Sequence, residues 1–123
     1  MTREPSDEME ALAKYIAAGE VVARVLADAA EATPAVRRLA LERAVQNVGE
    51  AAARIGAHYP TLVAAYPGLD VPKAIAMRAV LAHDYDTIIG AILETTAAED
   101  VPAAMRVARS ALRELSARRD LDR

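Results

Sequence analysis

The sequence predicts an all-α protein: a single-domain helical bundle of four main helices plus one short helix. Alanine supplies 30 of the 123 residues, and the aromatics are four Tyr with no Phe or Trp. Alanine loses no side-chain entropy in a helix, and the β-branched and aromatic residues that favour strands do not dominate. Apolar residues recur at helical spacing through four stretches, and Pro and Gly punctuation leaves short connections between them. One domain over residues 1–123, with flexible charged ends, is expected at this length, its core built from Ala, Leu, Val, Ile and Met.

The first helix is expected from about Asp7 to Ala32, with Ser6 as N-cap and acidic residues in the first turn, where they meet the positive end of the helix dipole. Its inward face carries Met9, Leu12, Ile16, Val22, Val25 and Ala29. Gly19 interrupts it, marking either a bend or the close approach of another helix. A second helix opens with Thr33 as cap and Pro34 in its first turn, buries Val45, Val48, Ala52 and Ile55, and ends near Gly56 and Pro60. Glu42, Gln46 and Glu50 recur every four residues along it, as a solvated stripe or as support for a functional surface. The segment "YPTLVAAYPGLDVP" has two proline turn signals around at most two helical turns. Residues from about Pro72 to Thr96 read as one long helix, the most apolar and central one, with Ile75, Met77, Val80, Leu81, Ile88, Ile89, Ile92 and Leu93. Asp100 is a candidate cap for a last helix near Val101 and Pro102, where Ala104, Val107, Ala108, Ala111, Leu112 and Leu115 repeat before a charged tail.

Fifteen basic and 18 acidic residues give a net charge of -3, which excludes a generally basic nucleic-acid binder but leaves room for a local Arg cluster. With no Cys, disulfides, thiolate chemistry and Cys-based metal sites are excluded, and a cytoplasmic protein is expected. The N-terminus lacks the basic and apolar regions of an export signal, and no apolar stretch is long enough to suggest a membrane span.

Only two histidines exist. They fall on different predicted helices without a metal-ligand spacing, so no metal site is expected. His58, beside "YP" at a helix end, fits a dipole or capping role. His83 lies in "MRAVLAHDYDTI", where Arg78, His83, Asp84, Tyr85 and Asp86 interrupt apolar sequence and would be costly to bury without partners. On one helix Arg78 and Tyr85 share roughly one face, whereas Arg78 and His83 stand about 140° apart. Pairing with a two-fold copy would let Arg78 of one subunit approach His83 of the other across a shared groove. A near-neutral His can move a proton while RNA is cleaved by its own 2′-hydroxyl, and an always-charged Arg can hold the phosphate. A structural polar cluster is the competing reading. Arg106, Arg109, Arg113, Arg118 and Arg119 are either phosphate contacts or a solvated face.

The run "RAVLAHDY", Arg78 through Tyr85, resembles the Arg, four residues, His, one residue, Tyr pattern of HepT-like toxins in the HEPN superfamily. "ALERAVQNVGEAAARI", including Gly49-Glu50-Ala51, is similar to that family's second-helix region. The resemblance covers most of the chain and implies a HEPN-like, homodimeric, metal-independent RNA endonuclease, the toxin of a two-gene toxin–antitoxin system, with Arg78 and His83 of both subunits lining one cleft. It further implies that Tyr85 is modified with AMP by a minimal nucleotidyltransferase antitoxin that uses ATP and magnesium, whereas RNA cleavage itself needs no cofactor. Two positions depart from the family pattern: Ala79 stands where Asn is frequent, and Lys73 where an aromatic residue is frequent. They motivate an alternative, a catalytically weak or inactive helical partner of a nucleotidyltransferase. A bundle used only for self-assembly is a third reading.

Overall fold

The computed structural model describes the backbone of residues 5–82 and 87–122, with side chains for 7–29, 31–81 and 90–122. Six α-helices follow in order: α1 (Pro5–Asp28), α2 (Pro34–His58), the short α3 (Pro60–Ala65), α4 (Val71–Ala82), α5 (Thr87–Thr95) and α6 (Val101–Leu121). Short 3₁₀ turns lie at Ala29–Glu31 and Pro67–Leu69, and a π turn at Thr96–Asp100. There is no strand among the described residues. The all-α bundle is the one that the composition predicts.

In α1 the apolar positions at helical spacing face inward, with Leu12, Ile16 and Val22 buried. Ser6 lies within the helix, which is described from Pro5, and so is not its N-cap; the Ser6 side chain is outside the described residues. A Cβ on Gly19 would sit 2.3 Å from Met105 Sδ, so this glycine serves the close approach of α6. Thr33 caps α2 as expected: its hydroxyl accepts a hydrogen bond from the Val36 N–H, and Pro34 fills the first turn, where no N–H partner is needed. The face of α2 carrying Leu41, Val45, Val48, Ala52 and Ile55 is buried. Along that helix Gly56 faces Val71 and Ile75 of α4, while Gly49 faces Ala74 and Arg78, so α2 and α4 run antiparallel.

The long helix expected from Pro72 to Thr96 is two helices. A straight helix would place residue 96 about 34 Å from residue 73. Instead Lys73 Nζ, in the first turn of α4, lies 3.1 Å from Asp100 Oδ2, so the chain doubles back after Ala82. Conversely, the break expected before the last helix is absent. Thr95 and Val101 keep right-handed helical torsions, and α5, the π turn and α6 form one unbroken helical path from Thr87 to Leu121. Asp100 therefore caps nothing; its side chain makes no capping bond and meets Lys73 instead. Pro102 accounts for the π turn physically: it offers no N–H to the carbonyl four residues back, and its ring crowds that carbonyl. Widening the preceding turn relieves both problems. The side chains of Ile88 and Ile89, expected in the central core, lie outside the described residues.

The buried side chains form one cluster, and its composition corrects the expectation of a core without aromatics. Tyr15 is 0 % exposed and, among the described residues, the largest fully buried side chain. Its hydroxyl donates to the Leu69 carbonyl at 2.7 Å, which satisfies the only polar atom of the ring. The next residue, Asp70, takes a left-handed conformation (φ 59°) that turns the chain from the Pro67–Leu69 turn into α4. Short polar residues tolerate this region better than most. Among the described residues no helix is long and apolar enough to cross a membrane.

Candidate functional site

Helix α2 is the platform on which the candidate site rests. Its positions 38, 42, 45 and 49 follow i, i+4, i+7, i+11 spacing and so form one stripe. At one end Arg38 pairs with Glu42 at 3.0 Å and lies against Gly90 of α5, where a Cβ would be 3.4 Å from Arg38 Nη1. Beside it Arg37 pairs with Glu94 of α5. At the other end, about 16 Å away along the helix, Gly49 lies beneath Arg78 of α4. Both flanks of the segment that carries His83 and Tyr85 are thus held on a single helix.

Arg78 is exposed, and among the described residues no carboxylate pairs with it. Its aliphatic stem lies over the bare backbone of Gly49, and its guanidinium is open to solvent. A cation in this state attracts anions without first breaking an ion pair, and its planar fork suits two phosphate oxygens. His83 and Tyr85, with Asp84 and Asp86, lie outside the described residues. α4 is described only to Ala82, so the shared helical face of Arg78 and Tyr85 has no counterpart among the described residues.

The stripe of Glu42, Gln46 and Glu50 is divided by the fold. Glu42 and Gln46 are half-buried, and Glu42 braces Arg38 under α5, whereas Glu50 is exposed. His58 sits in the last turn of α2, its ring edge toward Tyr59 at a centroid distance of 6.3 Å. It is nine residues, about 13 Å, from Gly49. The Arg residues of α6 stand elsewhere in the bundle: Arg109 pairs with Glu20 of α1 at 3.6 Å, and Arg118 reaches the Tyr66 hydroxyl at 3.5 Å. Arg106 and Arg113 are exposed and Arg119 is half-buried. Among the described residues no three His, Asp or Glu side chains converge as a metal site.

A family model described as "Ribonuclease HepT-like" matches residues 9–111. The chain belongs to this family. No curated protein and no solved structure matches the chain. In this HepT-like chain the matched span begins in α1 and ends in α6, so it takes in the whole α2–α4 platform as well as the Arg78–Tyr85 run. Of the two positions that the resemblance sets apart, Lys73 is tied to Asp100 and stands about 140° around α4 from Arg78, away from the platform edge. Ala79 is exposed and adjoins Arg78.

Sequence reasoning singled out Arg78 but missed its support. Gly49 had only a family resemblance to mark it, since a glycine in a helix does not announce which side chain crosses it. Arg38 and Gly90 carried no motif, and their contact depends on the reversal of the chain after Ala82.

Proposed function

We propose that this HepT-like chain is a metal-independent RNA endonuclease and the toxin of a two-gene toxin–antitoxin pair, working as a homodimer in the cytoplasm with Arg78 and His83 of both subunits along one cleft. The observation that carries this reading is Arg78: an exposed guanidinium with no carboxylate partner among the described residues, on a stem seated against α2, five residues ahead of His83. In the reaction His83 takes the proton of an RNA 2′-hydroxyl. The freed oxygen attacks the adjacent phosphorus, a 2′,3′-cyclic phosphate forms, and the bond to the 5′ oxygen breaks. A His83 imidazolium returns a proton to that leaving oxygen. Arg78 holds the non-bridging oxygens and stabilises the charge they gain in the transition state. No step calls for a metal or cofactor.

Tyr85 is the proposed switch. A minimal nucleotidyltransferase antitoxin, using ATP and magnesium, transfers AMP to its hydroxyl, adding negative charge and bulk beside the groove that RNA must enter. Purified, unmodified protein in excess chelator should cleave labelled single-stranded RNA and leave a cyclic phosphate or its hydrolysis product. Cleavage only with added divalent metal, or products ending in a 3′-hydroxyl, would sink the mechanism. Intact-mass measurement after co-expression with the partner should show added AMP, lost in Tyr85→Phe.

Ala79 favours a second reading, a weakly active or inactive partner of the nucleotidyltransferase, because its methyl group cannot orient a phosphate or a neighbouring side chain. That reading expects AMP addition with no cleavage by the unmodified chain. Lys73 gives it no support, since the ion pair with Asp100 explains this residue by the fold. Lys73→Ala should accordingly leave RNA cleavage at the wild-type rate with only a small fall in Tm, as for other exposed pairs.

A further inference from the structure

We propose that Gly49 is the positioning residue for Arg78, an inference that rests on the catalytic reading above. Gly49 is buried in the α2–α4 contact. A Cβ there would stand 2.6 Å from Arg78 Cγ, 3.0 Å from Arg78 Cδ and 2.9 Å from the Ala74 carbonyl oxygen. Carbon atoms in favourable contact lie about 3.5–4.0 Å apart, so even one methyl group overfills the space. Two of the three atoms are the middle of the Arg78 stem, and the third is α4 backbone, which cannot rotate away.

Gly56, two turns further along α2, supplies an internal comparison. A Cβ there would meet Ile75 Cδ1 and Val71 Cγ1 at 3.5 Å, an ordinary contact. Close approach of α2 and α4 therefore tolerates a methyl group at Gly56 but not at Gly49. What differs is that the Ala74 carbonyl of α4 and the stem of a long cationic side chain both lie against Gly49. The groove left by the missing Cβ holds the Arg78 stem flat, so its few torsions are set by α2 backbone and its head emerges at one place on the platform edge. A side chain with this much rotamer freedom would otherwise lose more entropy on seizing a phosphate.

The test measures steady-state cleavage (kcat and KM) and melting of wild type, Gly49→Ala, Gly56→Ala, Arg78→Ala and the double variant G49A/R78A. Gly49→Ala should lower kcat on the order of a hundredfold, the effect of a misplacement near 1 Å, while Gly56→Ala cleaves at the wild-type rate. In the Arg78→Ala background, adding G49A should cost a far smaller factor, because the side chain it displaces is gone and only the Ala74 carbonyl contact remains. Full activity of folded Gly49→Ala, or the same fold-loss with and without Arg78, would overturn the inference while leaving the catalytic reading intact. Equal cleavage by wild type and Arg78→Ala would remove Arg78 from the mechanism and sink the inference with it. If Gly49→Ala does not fold, recovery of part of the helicity and Tm in G49A/R78A supports the shared space, and no recovery assigns the whole clash to the Ala74 carbonyl and overturns it.

Discussion

Arg78→Ala should cleave RNA about 10²–10³-fold more slowly than wild type, the loss typical when one pre-set donor to transition-state charge is removed. Its Tm should stay near the wild-type value. The guanidinium is exposed and holds no carboxylate among the described residues, so truncation leaves no buried group unpaired. His83→Ala should lose a comparable factor, about 10²–10⁴, through loss of the proton carrier. Arg78→Lys should recover only part of the rate, because a point charge replaces a fork that can engage two oxygens at once. The measurement is single-turnover cleavage of a labelled RNA by unmodified, chelated protein, with circular dichroism as the control for folding. Wild-type rates in both alanine variants would remove these residues from the mechanism. Loss in His83→Ala alone would leave Arg78 as a surface charge.

The helix faces were legible in the sequence because apolar spacing is a local property, and the buried faces of α1, α2 and α6 follow that spacing, with Tyr15 and Met105 added to them and Met9, Val25, Ala29, Val107 and Leu112 only half-buried. The breaks were not, because local signals at two places point both ways. Asp100 and Pro102 have the form of a helix start, yet the chain passes through them as a π turn, and Asp100 is held by a residue 27 positions earlier in the chain. The polar run His83–Asp86 reads as an interruption of an apolar helix, and the described helices end and begin on either side of it. Those four residues lie outside the described ones, and what the fold does show is that α4 and the helical path from Thr87 do not continue one another as a single straight helix. At the candidate site the pattern singled out Arg78 and left its seat invisible. The Gly49 contact arises only when two segments 29 residues apart pack antiparallel, and no window of sequence contains it.

Tyr15 shows how an aromatic-poor composition can mislead, and it carries a second large effect. Tyr15→Phe keeps the ring but removes the hydroxyl that donates to the Leu69 carbonyl, leaving a buried acceptor unpaired at a cost of about 1–3 kcal/mol. Against a total stability of about 5–15 kcal/mol for a native domain, that should lower Tm by several degrees, read by denaturant and thermal unfolding at pH 8. The difference between the two proteins should then depend on pH in one direction. Burial first, and the neighbouring Asp70 carboxylate second, push the Tyr15 hydroxyl above its ordinary value of 10.0. An unfolded chain loses this proton at lower pH than the folded one, so the folded state binds more protons through that window and stability falls as pH rises. The stabilisation contributed by the neutral, hydrogen-bonded phenol is complete below pH 10 and is lost progressively above it. Wild type should therefore lose stability between pH 9 and 11.5 faster than Tyr15→Phe, and the gap between them should narrow, since every other titrating group is common to both. Equal stability at pH 8, or a gap that stays constant to pH 11.5, would show that the Tyr15 hydroxyl does not tie α1 to the turn that launches α4.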